Sequence, residues 1–278
     1  MAAPMPLWVA LVLGIVEGLT EFLPVSSTGH LVIAERLLSG GSSGAEGGDG
    51  GASFAIVIQL GAVLAVVLHY RTLLTERAAG VLRQDPVAVR LMMALVIAFL
   101  PAAIVGLLLR HAVHEYLFGL TPVAEALIAG GIVMIAVERW LRSRADRVPL
   151  EGLEHVTPKR ALIIGLGQCA SLWPGTSRSM STIVAAQLTG LSTSTAAEFS
   201  FLLAIPVLGA ATVYEGWKAR HELLAGGGGA PLLVGLVVSF FVAWAALASF
   251  LSYVKRHGME PFGYYRILVG VAVMVFLR

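Results

Sequence analysis

Residues 7–38 constrain this fold more than any other stretch. An apolar run from Leu7 to Leu23 has the character of a membrane helix, yet Glu17 and Glu21 interrupt it. Four residues apart, the two carboxylates share one helical face. An ionised carboxylate at a bilayer centre costs about 2.5–3.5 kcal/mol on insertion scales, and two on one face repel each other. The pair therefore predicts a cation between them, or one protonated member. Pro24 disfavours helical geometry in the residue before it and stops the run. Ser26, Ser27, Thr28, Gly29 and His30 follow. Non-helical polar backbone at membrane depth is tolerated only when buried in protein or lining a wet cavity. The stretch reads as a functional site.

Composition agrees with a membrane setting. Of 278 residues, 57% are hydrophobic and 13% charged, against about 25% charged in soluble domains. Mean hydropathy is +0.84. The chain reads as a single all-α, polytopic integral membrane domain over residues 1–278. A net charge of +2 gives no reason to expect a nucleic-acid partner. The single cysteine, Cys169, excludes an internal disulfide and a Cys-based metal site. The N-terminus lacks a basic n-region and carries Glu17 in its apolar run, so it does not read as a cleaved signal peptide.

A membrane span needs about 20 apolar residues. Segments 54–70, 91–109, 123–138, 198–215, 231–254 and 262–277 are read as six full spans. Segments 7–38 and 161–191 are interrupted and are read as two re-entrant helix pairs. Lys and Arg orient the protein. Loops 71–90, 139–160 and 255–261 carry twelve of them, and the opposite side carries five, namely Arg36, Arg110, Lys218, Arg220 and Arg278. The first side is expected in the cytoplasm. The Gly-rich stretches 40–51 and 226–229 then lie outside, as do both termini.

The second half echoes the first. Gly165-Leu166-Gly167-Gln168 matches Gly14-Ile15-Val16-Glu17, and Leu172 to Ser177 matches Phe22 to Ser27. Leu60-Gly61-Ala62 matches Leu208-Gly209-Ala210, and Gly130 and Met134 match Gly270 and Met274. Each half, 1–145 and 155–278, holds one re-entrant pair and three spans. Three is odd, so the halves enter the membrane in opposite senses. Inverted-topology repeats of this kind place a site near the midplane at their interface.

The second loop runs Pro174-Gly175-Thr176-Ser177-Arg178-Ser179. Arg178 is read as the only basic residue deep in an apolar region. Its planar fork suits phosphate oxygens. Hydroxyl and backbone donors from Gly175, Thr176, Ser177 and Ser179, with Ser26 and Thr28 opposite, would bind the same anion, helped by a helix N-terminus. The bland alternative is an Arg178–Glu21 ion pair that merely joins the repeats. Glu17 and Glu21 suit Mg²⁺ or Ca²⁺, which prefer oxygen ligands. Ser27 can attack phosphorus or donate to it, and His30, three residues on, can meet it and move the proton. The set suits phosphoryl transfer. Gln168, aligned with Glu17, would line the site. His69, His111, His114, His155, His221 and His257 are read as interfacial. Thr195 to Glu198 fits a capping box, which makes Glu198 structural.

These residues resemble the signatures of the bacterial undecaprenyl pyrophosphate phosphatases of the bacitracin-resistance type. The match covers Glu17-x-x-x-Glu21-Phe22-Leu23-Pro24-Val25-Ser26-Ser27-Thr28-Gly29-His30 and Pro174-Gly175-x-Ser177-Arg178-Ser179. Phe54 to Ala62, Phe201 to Pro206 and Tyr265-Arg266-Ile267 also look like that family. The resemblance implies hydrolysis of a C55 polyprenyl diphosphate lipid to its monophosphate and phosphate, on the outer face of the cytoplasmic (inner) membrane. It further implies carrier recycling for peptidoglycan synthesis and bacitracin resistance. It carries functional roles to Glu17, Glu21, Ser27, His30 and Arg178. The integral-membrane acid phosphatases share a Ser-Gly-His and a Ser-Arg element, but no histidine follows Arg178 before His221. Inverted repeats around a charged site also permit a transporter or flippase of an anionic polyprenyl phosphate. The oligomeric state is left open, with a homodimer as one option.

Overall fold

A computed structural model describes residues 5–38, 49–144, 148–224 and 228–277. Helices α1 (Leu7–Thr20) and α2 (Ser27–Leu38) are followed by α3 (Asp49–His69), α4 (Arg71–Leu82), α5 (Pro86–Leu117) and α6 (Leu120–Arg142). The second half holds α7 (Pro158–Gln168), α8 (Arg178–Leu188), α9 (Thr193–Lys218), the short α10 (Arg220–Leu224), α11 (Gly229–His257) and α12 (Glu260–Phe276). Among the described residues the one β contact is a bridge between Leu150 and Leu191. The protein is an all-α, multi-pass membrane protein.

Local chemistry sets the helix starts. Asp85 accepts a hydrogen bond from the Ala88 amide, and Pro86 occupies the first turn of α5. Thr157 and Pro158 open α7 in the same way. Ser192 caps α9 by accepting from the Thr195 amide. The capping box expected at Thr195–Glu198 is therefore absent, because the helix already begins at Thr193.

The six expected spans are realised unevenly. Helices α5, α6, α9 and α11 are each long and apolar enough to cross a membrane. The segment 53–69 meets that test only together with α4, across a 73° bend at Tyr70. The expected loop 71–90 is thus largely helical, with Leu73 and Leu74 packed against the core. Helix α12 has 17 residues, the short end of the range for a span. Residues 39–48, 145–147, 225–227 and 278 lie outside the described residues, and with them most of the stretch 40–51 and half of 226–229.

Both interrupted segments form helix pairs. α1 and α2 correspond to α7 and α8, α3 to α9, α5 to α11, and α6 to α12. Packing follows that correspondence. α1 lies on α11 while α7 lies on α5; α3 meets α9, and α6 meets α12. A two-fold relation between the halves would produce this exchange. Small residues permit the close crossings, as is common between membrane helices. A Cβ on Gly14 would sit 2.8 Å from the Gly235 carbonyl oxygen, and one on Gly165 would sit 2.5 Å from that of Ala98.

Charged groups collect at the two ends. At one end Glu138 accepts from Arg142 and from the Met259 amide, and Arg139 pairs with Glu260 at 2.9 Å. This joins the expected loops 139–160 and 255–261 on one side. At the other end Glu215 takes Arg110 at 3.6 Å and the Ser53 hydroxyl at 3.1 Å.

Candidate active site

The turns between α1 and α2 and between α7 and α8 meet inside the bundle. Each ends in a serine with positive φ, 74° at Ser26 and 77° at Ser177. For a non-glycine residue such backbone costs roughly 1–3 kcal/mol and persists only where its surroundings impose it. Each serine caps the helix that follows. The Ser26 hydroxyl accepts from the Gly29 amide, and the Ser177 hydroxyl from the Met180 amide. The structural register therefore pairs Ser26 with Ser177 and Ser27 with Arg178. The match by letter, which set Ser27 against Ser177, is one residue out.

Ser27 and Arg178 are the first residues of their helices, where main-chain amides lack intrahelical acceptors. Glu21 links them. Its Oε2 accepts the Ser27 hydroxyl at 2.5 Å, and its Oε1 accepts Arg178 Nη2 at 3.0 Å. The side chains of Arg178 and Glu21 are only 8% and 4% exposed. Arg178 Nη1 donates to the Ser200 carbonyl at 2.9 Å, and its guanidinium lies 6.0 Å from the centre of the Phe22 ring. Its Nε is buried without a partner. The ion pair raised as the bland alternative does exist, and it carries the Ser27 hydroxyl with it.

His30 and Ser27 do not form the expected pair. His30 Nδ1 lies 2.8 Å from the Ser26 carbonyl and Nε2 lies 2.8 Å from the Tyr265 hydroxyl. A carbonyl only accepts, so Nδ1 carries a proton, and in the neutral ring Nε2 accepts from Tyr265. The two rings are parallel within 5°. The reason is position. Ser27 opens its helix with its hydroxyl turned back to α1, while His30 sits one turn on and caps toward Ser26.

The remaining candidates divide. Ser179 donates to the Leu23 carbonyl at 3.0 Å and also meets Ser177, so it ties the loops together. Gly175 has φ 97°, and a Cβ there would lie 2.5 Å from the Val123 carbonyl oxygen. Thr28 and Thr176 are half-buried at the mouths of the two turns. Glu17 and Gln168 are both fully buried; the Glu17 carboxyl lies against that of Glu21, and the Gln168 amide has no hydrogen-bond partner among the described residues.

A second basic residue is fully buried, so the reading of Arg178 as the only one is corrected. Arg266 donates to the Pro24 and Gly175 carbonyls from α12. It lies in the apolar segment 262–277, and the argument applied to Arg178 would have found it.

Glu17 could hold a hard divalent cation in kind. Its carboxyl lies beside that of Glu21, and no donor group of the described residues reaches its oxygens. No group of three or more His, Cys, Asp or Glu suited to a metal occurs among the described residues. A cation here would draw further oxygens from water and phosphate, the pattern usual for Mg²⁺.

Comparison with known proteins identifies the family. Residues 10–272 match the family model described as Bacitracin resistance protein BacA. The chain belongs to the BacA family. Among BacA relatives, the undecaprenyl-diphosphatase of Sorangium cellulosum is 56% identical over 266 residues, covering 95% of this chain and 84% of the relative. Those of Rhizorhabdus wittichii and Thermoanaerobacter pseudethanolicus are each 43% identical, covering 95% and 96% of both chains respectively.

Proposed function

We propose that the protein hydrolyses undecaprenyl diphosphate to undecaprenyl phosphate and inorganic phosphate, recycling the lipid carrier for peptidoglycan synthesis and conferring bacitracin resistance. One observation carries the reading: a single buried carboxylate, Glu21, holds both a nucleophile and a phosphate-binding guanidinium where two helices begin. Names of the BacA relatives favour this over the transporter reading.

Ser27 Oγ attacks the terminal phosphorus and passes its proton to Glu21 Oε2, already within hydrogen-bond reach. The bond from that phosphorus to the bridging oxygen breaks, and the lipid leaves as a phosphate anion that needs no proton. Arg178 Nη2 and the free Nε face the equatorial oxygens. Amides at the starts of α2 and α8 add donors that need no reorganisation. Glu21 releases its proton to solvent, takes one from the water that attacks the phosphoserine, and returns it to Ser27 Oγ as the Oγ–P bond breaks and inorganic phosphate leaves. His30 fixes the Ser26 turn instead of serving as the base for Ser27. Glu17 and Glu21 would hold Mg²⁺ or Ca²⁺, which supplies positive charge against the diphosphate when bound.

The site is taken to open to the outside. The Ala126 carbonyl, level with both loops, lies about 9 Å along α6 from Leu120 and about 24 Å from Arg142, at 1.5 Å per residue. The Arg139–Arg142 end is the far one, and basic ends face the cytoplasm.

Phosphate release by detergent-purified protein given the C55 diphosphate tests the reading. Release is expected from the native chain and not from Ser27→Ala. A native protein that binds the lipid and releases nothing, or a Ser27→Ala variant with normal turnover, would overturn it.

A further inference from the structure

Among the described residues Arg266 is the largest side chain with no solvent exposure. Its Nη1 donates to the Pro24 carbonyl at 3.1 Å. Its Nη2 donates to Gly175 at 2.9 Å and Ala126 at 3.1 Å, and Nε to Leu127 at 3.3 Å. All four acceptors are main-chain carbonyls. Among the described residues no carboxylate forms an ion pair with it.

Two of the acceptors are equivalent under the repeat. Pro24 stands two residues before Ser26, and Gly175 two before Ser177. One guanidinium thus grips the same point of both strained turns, and its remaining bonds anchor it to α6. The first half has no second copy of this device, because the residue of α6 matching Arg266 is Ala126. Bundle stability alone does not explain the arrangement. Replacing buried charges by apolar side chains of similar volume is often neutral or stabilising. A planar fork adds fixed angles between donors, which an apolar side chain lacks.

We propose that Arg266 is a positioning residue for hydrolysis. It holds the two turns in one rigid plane, so that Ser27 from one and Arg178 from the other close on Glu21. The proposal rests on the hydrolytic reading above and adds to it a residue that touches neither substrate nor nucleophile.

Three variants test it: Arg266→Met, Arg266→Lys and Gly130→Ala. A Cβ on Gly130 would lie 2.2 Å from Arg266 Nη2 and 2.8 Å from Cζ, so Gly130→Ala displaces the fork while keeping its charge. Turnover, KM, apparent Tm and the distance distribution between spin labels at Thr28 and Thr176 are read for each. Arg266→Met should lower kcat on the order of 10²-fold, as a displacement of about 1 Å can, with KM near the native value. Arg266→Lys should recover part of that loss. Gly130→Ala should lower kcat in the native background and add nothing to Arg266→Lys, whose shorter head leaves room. Label distances should broaden in step with the loss of kcat.

Native kcat in Arg266→Met would overturn the proposal. So would a lower Tm with native turnover per folded molecule, or multiplying losses from Gly130→Ala and Arg266→Lys. If Arg266→Met does not fold, Gly130→Ala decides. If the native chain itself releases no phosphate, the hydrolytic reading falls, and the label distances still judge positioning: unchanged distributions across the variants would overturn it.

Discussion

The two re-entrant turns have nearly the same backbone and almost opposite chemistry. Ser26 and Ser177 share a φ near +75° and the same capping bond. The next residue is a hydroxyl in one turn and a guanidinium in the other. Three residues before the end of α1 stands the carboxylate Glu17; at the end of α7 stands the amide Gln168. The comparison separates two jobs. The repeat supplies paired helix starts aimed at one point, which suits any anion. In the proposed mechanism, departures from the repeat supply the nucleophile, its base and the clamp.

The largest effect should come from breaking the asymmetric triad. Glu21→Gln and Ser27→Ala should each lower phosphate release by at least about 10³-fold. The double variant should be little worse, because groups acting as one unit are strongly non-additive. Losses that multiply in the double variant would separate the two residues and remove Glu21 as the base for Ser27.

A second test makes the halves alike at one position. Glu17→Gln gives the first half the amide of the second. Release should fall about 10²-fold, the range for loss of a metal-orienting group, and the Mg²⁺ dependence should shift to higher concentration. Excess chelator should abolish native turnover. Full activity in EDTA would remove the cation and leave Glu17 as an electrostatic neighbour of Glu21.

The smallest effect concerns the shared backbone. Ser26→Gly and Ser177→Gly each relieve positive-φ strain and lose a cap, for which glycine costs only a few tenths of a kcal/mol. Each should change stability by less than about 1 kcal/mol, and by similar amounts. Apparent Tm in detergent reads this. A large loss at one position alone would show that the turns are not equivalently strained.

Much of this was legible in the sequence. Carboxylates inside an apolar run, a proline and a cluster of hydroxyls located both turns and the two helices around each. Glu21 and Arg178, 157 residues apart, were expected to meet and do. What sequence did not convey depended on direction and depth. Letters aligned Pro24 with Pro174 and so misplaced Ser27 by one, because backbone twist, not residue type, marks the equivalent serine. Spacing put His30 within reach of Ser27, but the rotation of a helix start turned the hydroxyl to α1. Arg266 sits near the start of its segment, where a basic residue ordinarily reaches water. Its place in the apolar segment was a signal that could be read, but its four main-chain partners emerge only from the crossing of α6 with α12.

The placement of Ser27 and Arg178 at the first position of their helices has a genetic corollary. The main-chain amides beside them belong to the peptide bond and not to any codon. An inhibitor that takes its grip from those amides would present a narrow target for escape by point mutation. Substitutions that move the amides must pass through the turns, and the same turns carry Ser27, the nucleophile of the proposed mechanism.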